Sequence, residues 1–178
     1  MEEKSTPAGD VLGDPGRLEE IAELELMGPG VDDILQATAE EAAARLDLPT
    51  SVVSVVTDQA QYFAAYHGLT GWMREARGTP AEWSFCANAV RSGEPFVVED
   101  AATHPLVREN PMVTEEGVRC YAGIPLVTSR GHTLGTLCVI GTEARTFSED
   151  DLEALRALAR RAVERIEERR GKAGMPGG

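Results

Sequence analysis

Histidine, cysteine and aromatic residues are scarce in this chain, with three His, three Cys and 5% aromatics among 178 residues. Each scarcity excludes something. No two histidines and no His/Cys pair stand at helical ligand spacing or in a CxxC pattern, so a metal centre or haem lacks a ligand set. An odd number of cysteines makes no disulfide framework, and small buried apolar residues are the simplest reading of all three. Basic residues are also few, 17 Lys and Arg against 30 Asp and Glu, for a formal charge of −13. Such a chain repels phosphate backbones, and most of its basic residues are interleaved with acids along the last helix, so nucleic acid is excluded as a partner. No apolar run approaches the ~20 residues that span a bilayer, and no basic segment followed by an apolar one opens the chain. The expectation is a cytoplasmic protein without a membrane partner. A Gly-rich phosphate loop, a Ser/His/Asp ordering and paired acids on one helix face are absent too.

What the chain does have is 42% apolar residues in a length that suits one domain. Residues 1–14 read as a disordered lead-in, 15–170 as a single domain with flanking helices, and 171–178 as a disordered tail. Pro15, Leu18, Ile21 and Ala22 follow helical spacing up to a stop at Gly28-Pro29-Gly30. A second helix spans about Val31 to Leu46. Four valines make Ser51 to Thr57 a central strand, and Gln61 to His67 returns beside it. A short helix from about Pro80 to Arg91 precedes the strand Phe96 to Val98. After a loop from Ala101 to Arg119 come two apolar runs, Cys120 to Val127 and Thr133 to Ile140, joined by Ser129-Arg130-Gly131-His132 in a hairpin. Alternation puts Cys120, Ala122, Ile124 and Leu126 on one face of the first, and Leu134, Thr136, Cys138 and Ile140 on one face of the second. Ser148 and Asp151 have the spacing of a helix cap, and the last helix runs to about Arg169. Along it, Leu152, Leu155, Ala159, Ala162 and Ile166 step by three and four, predicting a dimer seam.

The fold class is therefore α+β: a central antiparallel sheet of about five or six strands, helices packed on one face, loops and a short helix over the other. A cap of loops over a sheet leaves a concavity. Phe85, Cys86, Asp100, Val107, Met112, Tyr121 and Gly123 are the residues expected around a small-molecule pocket there. Phe85 and Tyr121 give apolar walls, Asp100 one polar contact, and Gly123 a close approach to backbone. The alternative is a loop that fills its own cavity, with the same residues as core.

Ser84-Phe85-Cys86-Ala87-Asn88-Ala89, Gly93-Glu94-Pro95-Phe96-Val97-Val98-Glu99-Asp100-Ala101, His104-Pro105, Asn110-Pro111, Tyr121-Ala122-Gly123-Ile124-Pro125-Leu126 and Leu134-Gly135-Thr136-Leu137-Cys138-Val139-Ile140 carry a resemblance. In that order and spacing the chain resembles a bacterial GAF domain, of the subgroup found beside sensor kinases and diguanylate cyclases, over roughly residues 30 to 168. The resemblance implies a GAF/PAS-like fold and a freestanding, non-catalytic signalling or regulatory sensor. It would bind an unknown small molecule, form a homodimer through its terminal helices, and act on a separate output protein such as a kinase or cyclase. Two alternatives stay open: a dimerisation or protein-interaction scaffold, and a cysteine-dependent free methionine sulfoxide reductase. Against the enzyme, the loop around Thr114 has no thiol where that subfamily's reactive one would lie. A bilin-binding relative would have histidine after its cysteine, but Ala87 follows Cys86 and Tyr121 follows Cys120. Cyclic-nucleotide-binding relatives carry Asn-Lys where Gly141-Thr142 stands, and Glu where Leu152 stands. The cofactor is left unassigned.

Overall fold

The computed structural model of the chain describes residues 10–26 and 32–173. Residues 1–9 of the expected lead-in, the helix stop at Gly28-Pro29-Gly30, the helix start at Val31 and the tail beyond 173 lie outside it. Six strands form one antiparallel sheet: β1 Thr50–Val56, β2 Ala60–His67, β3 Gly78–Pro80, β4 Phe96–Val98, β5 Cys120–Val127 and β6 Thr133–Gly141. Their order is β3-β2-β1-β6-β5-β4. The valine-rich β1 is central, as its lack of a polar face requires. Val53 and Val55 enter one core and Val52 and Val56 the other, so a single strand serves both faces.

Three helices, α1 Pro15–Leu24, α2 Asp33–Leu46 and α6 Glu149–Ala173, cover one face of the sheet. Asp32 starts α2 by accepting from the amides of Ile34 and Leu35 at 2.9 and 3.0 Å, and it also accepts from Arg165 of α6 at 2.9 Å. Ser148 and Asp151 form the expected reciprocal cap of α6, each amide donating to the other's side chain at 3.0 Å. The stripe expected as a dimer seam is consumed inside the chain. Leu155, Ala159, Ala162 and Ile166 are no more than 3% exposed, with Leu152 packed beside them against α2 and the sheet. Helical spacing identifies an apolar face but not what covers it, and here the cover is the chain's own core.

The opposite face carries α3 Gly71–Ala76, α4 Cys86–Ser92, α5 Pro111–Thr114 and the loops between them. The short helix expected from Pro80 to Arg91 is two pieces, a 3-10 turn at Ala81–Trp83 and then α4. Ordered structure starts before Pro15: Val11–Gly13 forms a 3-10 turn, and Leu12 inserts into the loop-side core. The strand β3 escapes sequence reading because it is three residues long. It pairs with β2 through Gly78, whose missing Cβ lets the two backbones approach at Gln61. In β6 the pairing slips beside Leu126. Leu134 therefore joins Leu137 and Val139 on the helix side instead of sharing a face with Cys138. Among the described residues no helix is long and apolar enough to cross a membrane.

Candidate functional site

Between the sheet and the loop cap lies a narrow cavity with about 30 Å³ of free space, enough for a body little larger than water. Its floor is the loop-facing side of β1, β5 and β6, through Val52, Tyr121, Cys138 and Ile140. Its roof is Phe85 and Cys86 at the start of α4 and Met112 in α5. Leu69, Met73 and Trp83 also line it, and Met73, Trp83 and Ile140 are partly exposed.

The walls are apolar, but the floor ends in a buried polar cluster. Cys86 is the first residue of α4, which hangs its Sγ over the sheet. Tyr121 Oη and Thr136 Oγ1 each donate to that sulfur at 3.0 Å, and Cys138 Sγ stands 4.0 Å away. Ser54 backs Thr136, with its hydroxyl 3.2 Å from Thr136 Oγ1 and accepting from the Thr136 amide at 3.1 Å. Burial pushes the Cys86 thiol up, but hydrogen bonds from Cys138, Ser54, Thr136 and Tyr121 outweigh it and hold the thiol at about 6. The Cys138 thiol is pushed well up by its hydrogen bond with Cys86 and by burial, so the proton of the pair stays on Cys138. Burial and the neighbouring sulfur likewise push the Tyr121 phenol well up and keep it a donor. A second polar group, Gln61, lines the same cavity. Its Nε2 donates to Thr79 Oγ1 at 3.1 Å and its Oε1 accepts from Ser84 Oγ at 2.7 Å.

Of the seven residues expected around a pocket, Phe85, Cys86, Met112 and Tyr121 line it. Val107 belongs to the loop-side core without lining the cavity. Gly123 is on the floor, but the space above it is filled by the phenol of Tyr121, not left for a ligand. Asp100 is exposed and outside the cavity; it accepts from the Ala102 amide at 3.1 Å and turns the chain after β4. Sequence reasoning missed Cys138, Thr136 and Ser54 as parts of the site. The alternation of β6 did place Thr136 and Cys138 on one face, and only the position of α4 above that face was lacking. His104 accepts from the Leu106 amide through Nδ1 at 3.2 Å and meets the Phe96 ring edge-on.

The model of the GAF domain family matches residues 29–167. Over 148 residues the chain is 36% identical to a cyclic di-GMP phosphodiesterase of Pseudomonas aeruginosa, a match covering 82% of this chain and 24% of that protein. The chain thus spans about a quarter of the length of that relative. Among solved structures, the GAF domain from a phosphoenolpyruvate-protein phosphotransferase of Coxiella burnetii aligns with a TM-score of 0.67 at 20% identity, covering 96% of this chain and all of that one. The free methionine-R-sulfoxide reductase from Neisseria meningitidis, solved with its substrate, aligns with a TM-score of 0.64 at 20% identity, over 88% of this chain and 91% of that one. At such identities the structures share a fold and carry nothing further. With the six-stranded sheet, its two differently covered faces and a family match across most of its length, the chain belongs to the GAF domain family.

Proposed function

We propose that this chain is a regulatory sensor module that takes a small molecule between its sheet and loop cap and relays its binding through the helix layer. The observation that carries the reading is a strand arrangement in which neighbouring residue pairs face opposite cores. Val52 pairs with Cys138 at the cavity, and the next pair, Val53 with Leu137, packs under the helices. A change at the floor therefore has one residue to travel before it reaches the helix side. The cavity is small as it stands, but Met73 and Met112, on opposite sides of it, are the side chains best able to rearrange around a larger guest. Among the described residues the cavity is lined mainly by apolar side chains, and a regulatory role is preferred to an enzymatic one on a bound metabolite. The free methionine sulfoxide reductase reading is weakened further by the lack of a thiol around Thr114.

Native mass spectrometry of the purified chain, followed by denaturing mass measurement, tests this directly. A non-covalent mass that vanishes on denaturation is expected, together with a melting temperature that rises with added ligand by RT ln(1 + [L]/Kd). A chain that carries no mass and shows no shift across a metabolite panel would remove the reading. One observation favours a protein-contact role instead: a cleft of about 320 Å³ between β5 and α6, with Val127 45% exposed at its edge and Arg156, Arg160 and Glu164 along it. A Val127→Asp change that dissociates an assembly seen by light scattering would shift weight to that role.

A further inference from the structure

The cavity holds two thiols, one in its roof and one in its floor, that reversible ligand binding does not use. Cys86 and Cys138 come from different elements, the first turn of α4 and the middle of β6, yet their sulfurs stand 4.0 Å apart and both line the cavity. The third cysteine, Cys120, pairs with Gly141 at the far end of β5 and does not line it. Two hydroxyl donors at 3.0 Å point at Cys86 Sγ, from Tyr121 and Thr136. Converging donors stabilise a sulfur that carries negative charge, the nucleophilic form of cysteine. About 30 Å³ of free space leaves room for a molecule little larger than water, such as a small hydroperoxide, and none for a bulky thiol or a peptide.

We propose that Cys86 and Cys138 are a peroxide-reactive pair: a small hydroperoxide entering the cavity oxidises Cys86, and Cys138 resolves it as an intramolecular disulfide. In the first step the Cys86 thiolate attacks one peroxide oxygen. An S–O bond forms, the O–O bond breaks, and the departing hydroxide takes a proton to become water, leaving a sulfenic acid on Cys86. In the second step Cys138 attacks the Cys86 sulfur. The S–S bond forms, the S–O bond breaks, and a second water leaves with the Cys138 proton. Two thiols lose two electrons and one peroxide gains them, so no other reductant or oxidant is needed. With bulky thiols kept out, Cys138 is the resolving group within reach. Closing from 4.0 Å to the ~2.05 Å of a disulfide withdraws Cys86 from Tyr121 and Thr136 and ties α4 to β6. This goes beyond the reversible-ligand reading and does not depend on it, since the pair oxidises whether or not a metabolite binds.

The test is titration of the reduced chain with hydrogen peroxide at neutral pH, read by non-reducing intact mass and peptide mapping. The expected product has lost two hydrogens, links Cys86 to Cys138, and, once denatured, leaves Cys120 open to alkylation and reverts with dithiothreitol. Cys138→Ser is expected to stop at a sulfenic acid on Cys86, read as the gain of one oxygen in intact mass and trapped by dimedone when the oxidised chain is denatured in its presence. Tyr121→Phe and Thr136→Val each remove one donor to the thiolate and should slow the reaction roughly tenfold, while Cys120→Ser should leave it unchanged. A disulfide that includes Cys120, equal oxidation rates at Cys86 and Cys120, or oxidation only after unfolding by denaturant would overturn the proposal. The wild-type mapping needs no variant, so it decides the matter even where a substitution unfolds the chain.

Discussion

Tyr121 and Gly123 show how closely two residues on one strand face depend on each other. The ring of Tyr121 leans over Gly123 and is held between Phe85 and Phe96, with centroids 5.2 and 5.9 Å away. A Cβ at position 123 would overlap the phenol, leaving the ring to move against neighbours that have no slack. Gly123→Ala is expected to cost about 1–3 kcal/mol in urea unfolding. It should also move the Tyr121 phenol that donates to Cys86, so the midpoint of the Cys86 thiolate absorbance against pH should rise above that of the wild type. Unchanged stability together with an unchanged midpoint would refute this account. The same pair marks the limit of reading residues singly. Phe85, Cys86, Met112 and Tyr121 were legible as residues around the cavity because large or reactive side chains beside an irregular loop have few other places to go. Asp100 misled because a carboxylate that turns the chain and one that meets a ligand look alike in sequence.

At the level of elements, α6 is the instructive case. Its apolar stripe and its length were legible from spacing and from the Ser148 and Asp151 cap, but its partner was not. The stripe meets α2 and the sheet, while Arg161 and Arg165 reach across to Glu41 and Asp32 on the α2 side at 2.7 and 2.9 Å. Leu155, fully buried, is therefore a core residue. Leu155→Ala should destabilise the chain by about 2–5 kcal/mol and leave its oligomeric state unchanged. Loss of a dimer at wild-type stability, seen by light scattering and urea unfolding together, would restore the seam. The bulge in β6 is a second such case. One extra residue turns Leu134 to the helix side, and alternation alone does not reveal where a strand slips.

Among the described residues one sheet lies between two cores, and carboxylate–arginine contacts tie the elements around it together. Asp10 meets Arg91, Asp32 meets Arg165 and Asp151 meets Arg145. All three carboxyls are held below the usual value. For Asp10 and Asp32 burial opposes the shift, and it is outweighed by the arginine and by backbone amides; for Asp151 the amide of Ser148 leads. A carboxyl whose folded-state pKa is lowered releases its proton more readily in the native chain than in the unfolded one. Its stabilisation is complete above the ordinary value near 4 and is lost as pH falls through the lower folded-state value. Urea midpoints measured from pH 6 down to pH 3 should fall for this reason. Asp32→Asn should start less stable and show a flatter decline, and a decline parallel to the wild type would remove Asp32 from the explanation. The overall charge of −13 shrinks and then changes sign as acid is added past the isoelectric point near 4.6, so the comparison with the variant, rather than the bare slope, isolates the local contacts.

By itself the sequence determined five of the six strands, the long helices, the cap of the last one and the two-faced sheet, because periodicity and capping are written in residues close together along the chain. It also determined the family through the order of short motifs. The tertiary structure alone decided that the α6 stripe is core, that Asp100 lies outside the cavity and Tyr121 fills the space above Gly123, and that Cys86 meets Cys138 across 52 residues. Those outcomes depend on which face of one element lands on which face of another, and that is set by packing between distant segments.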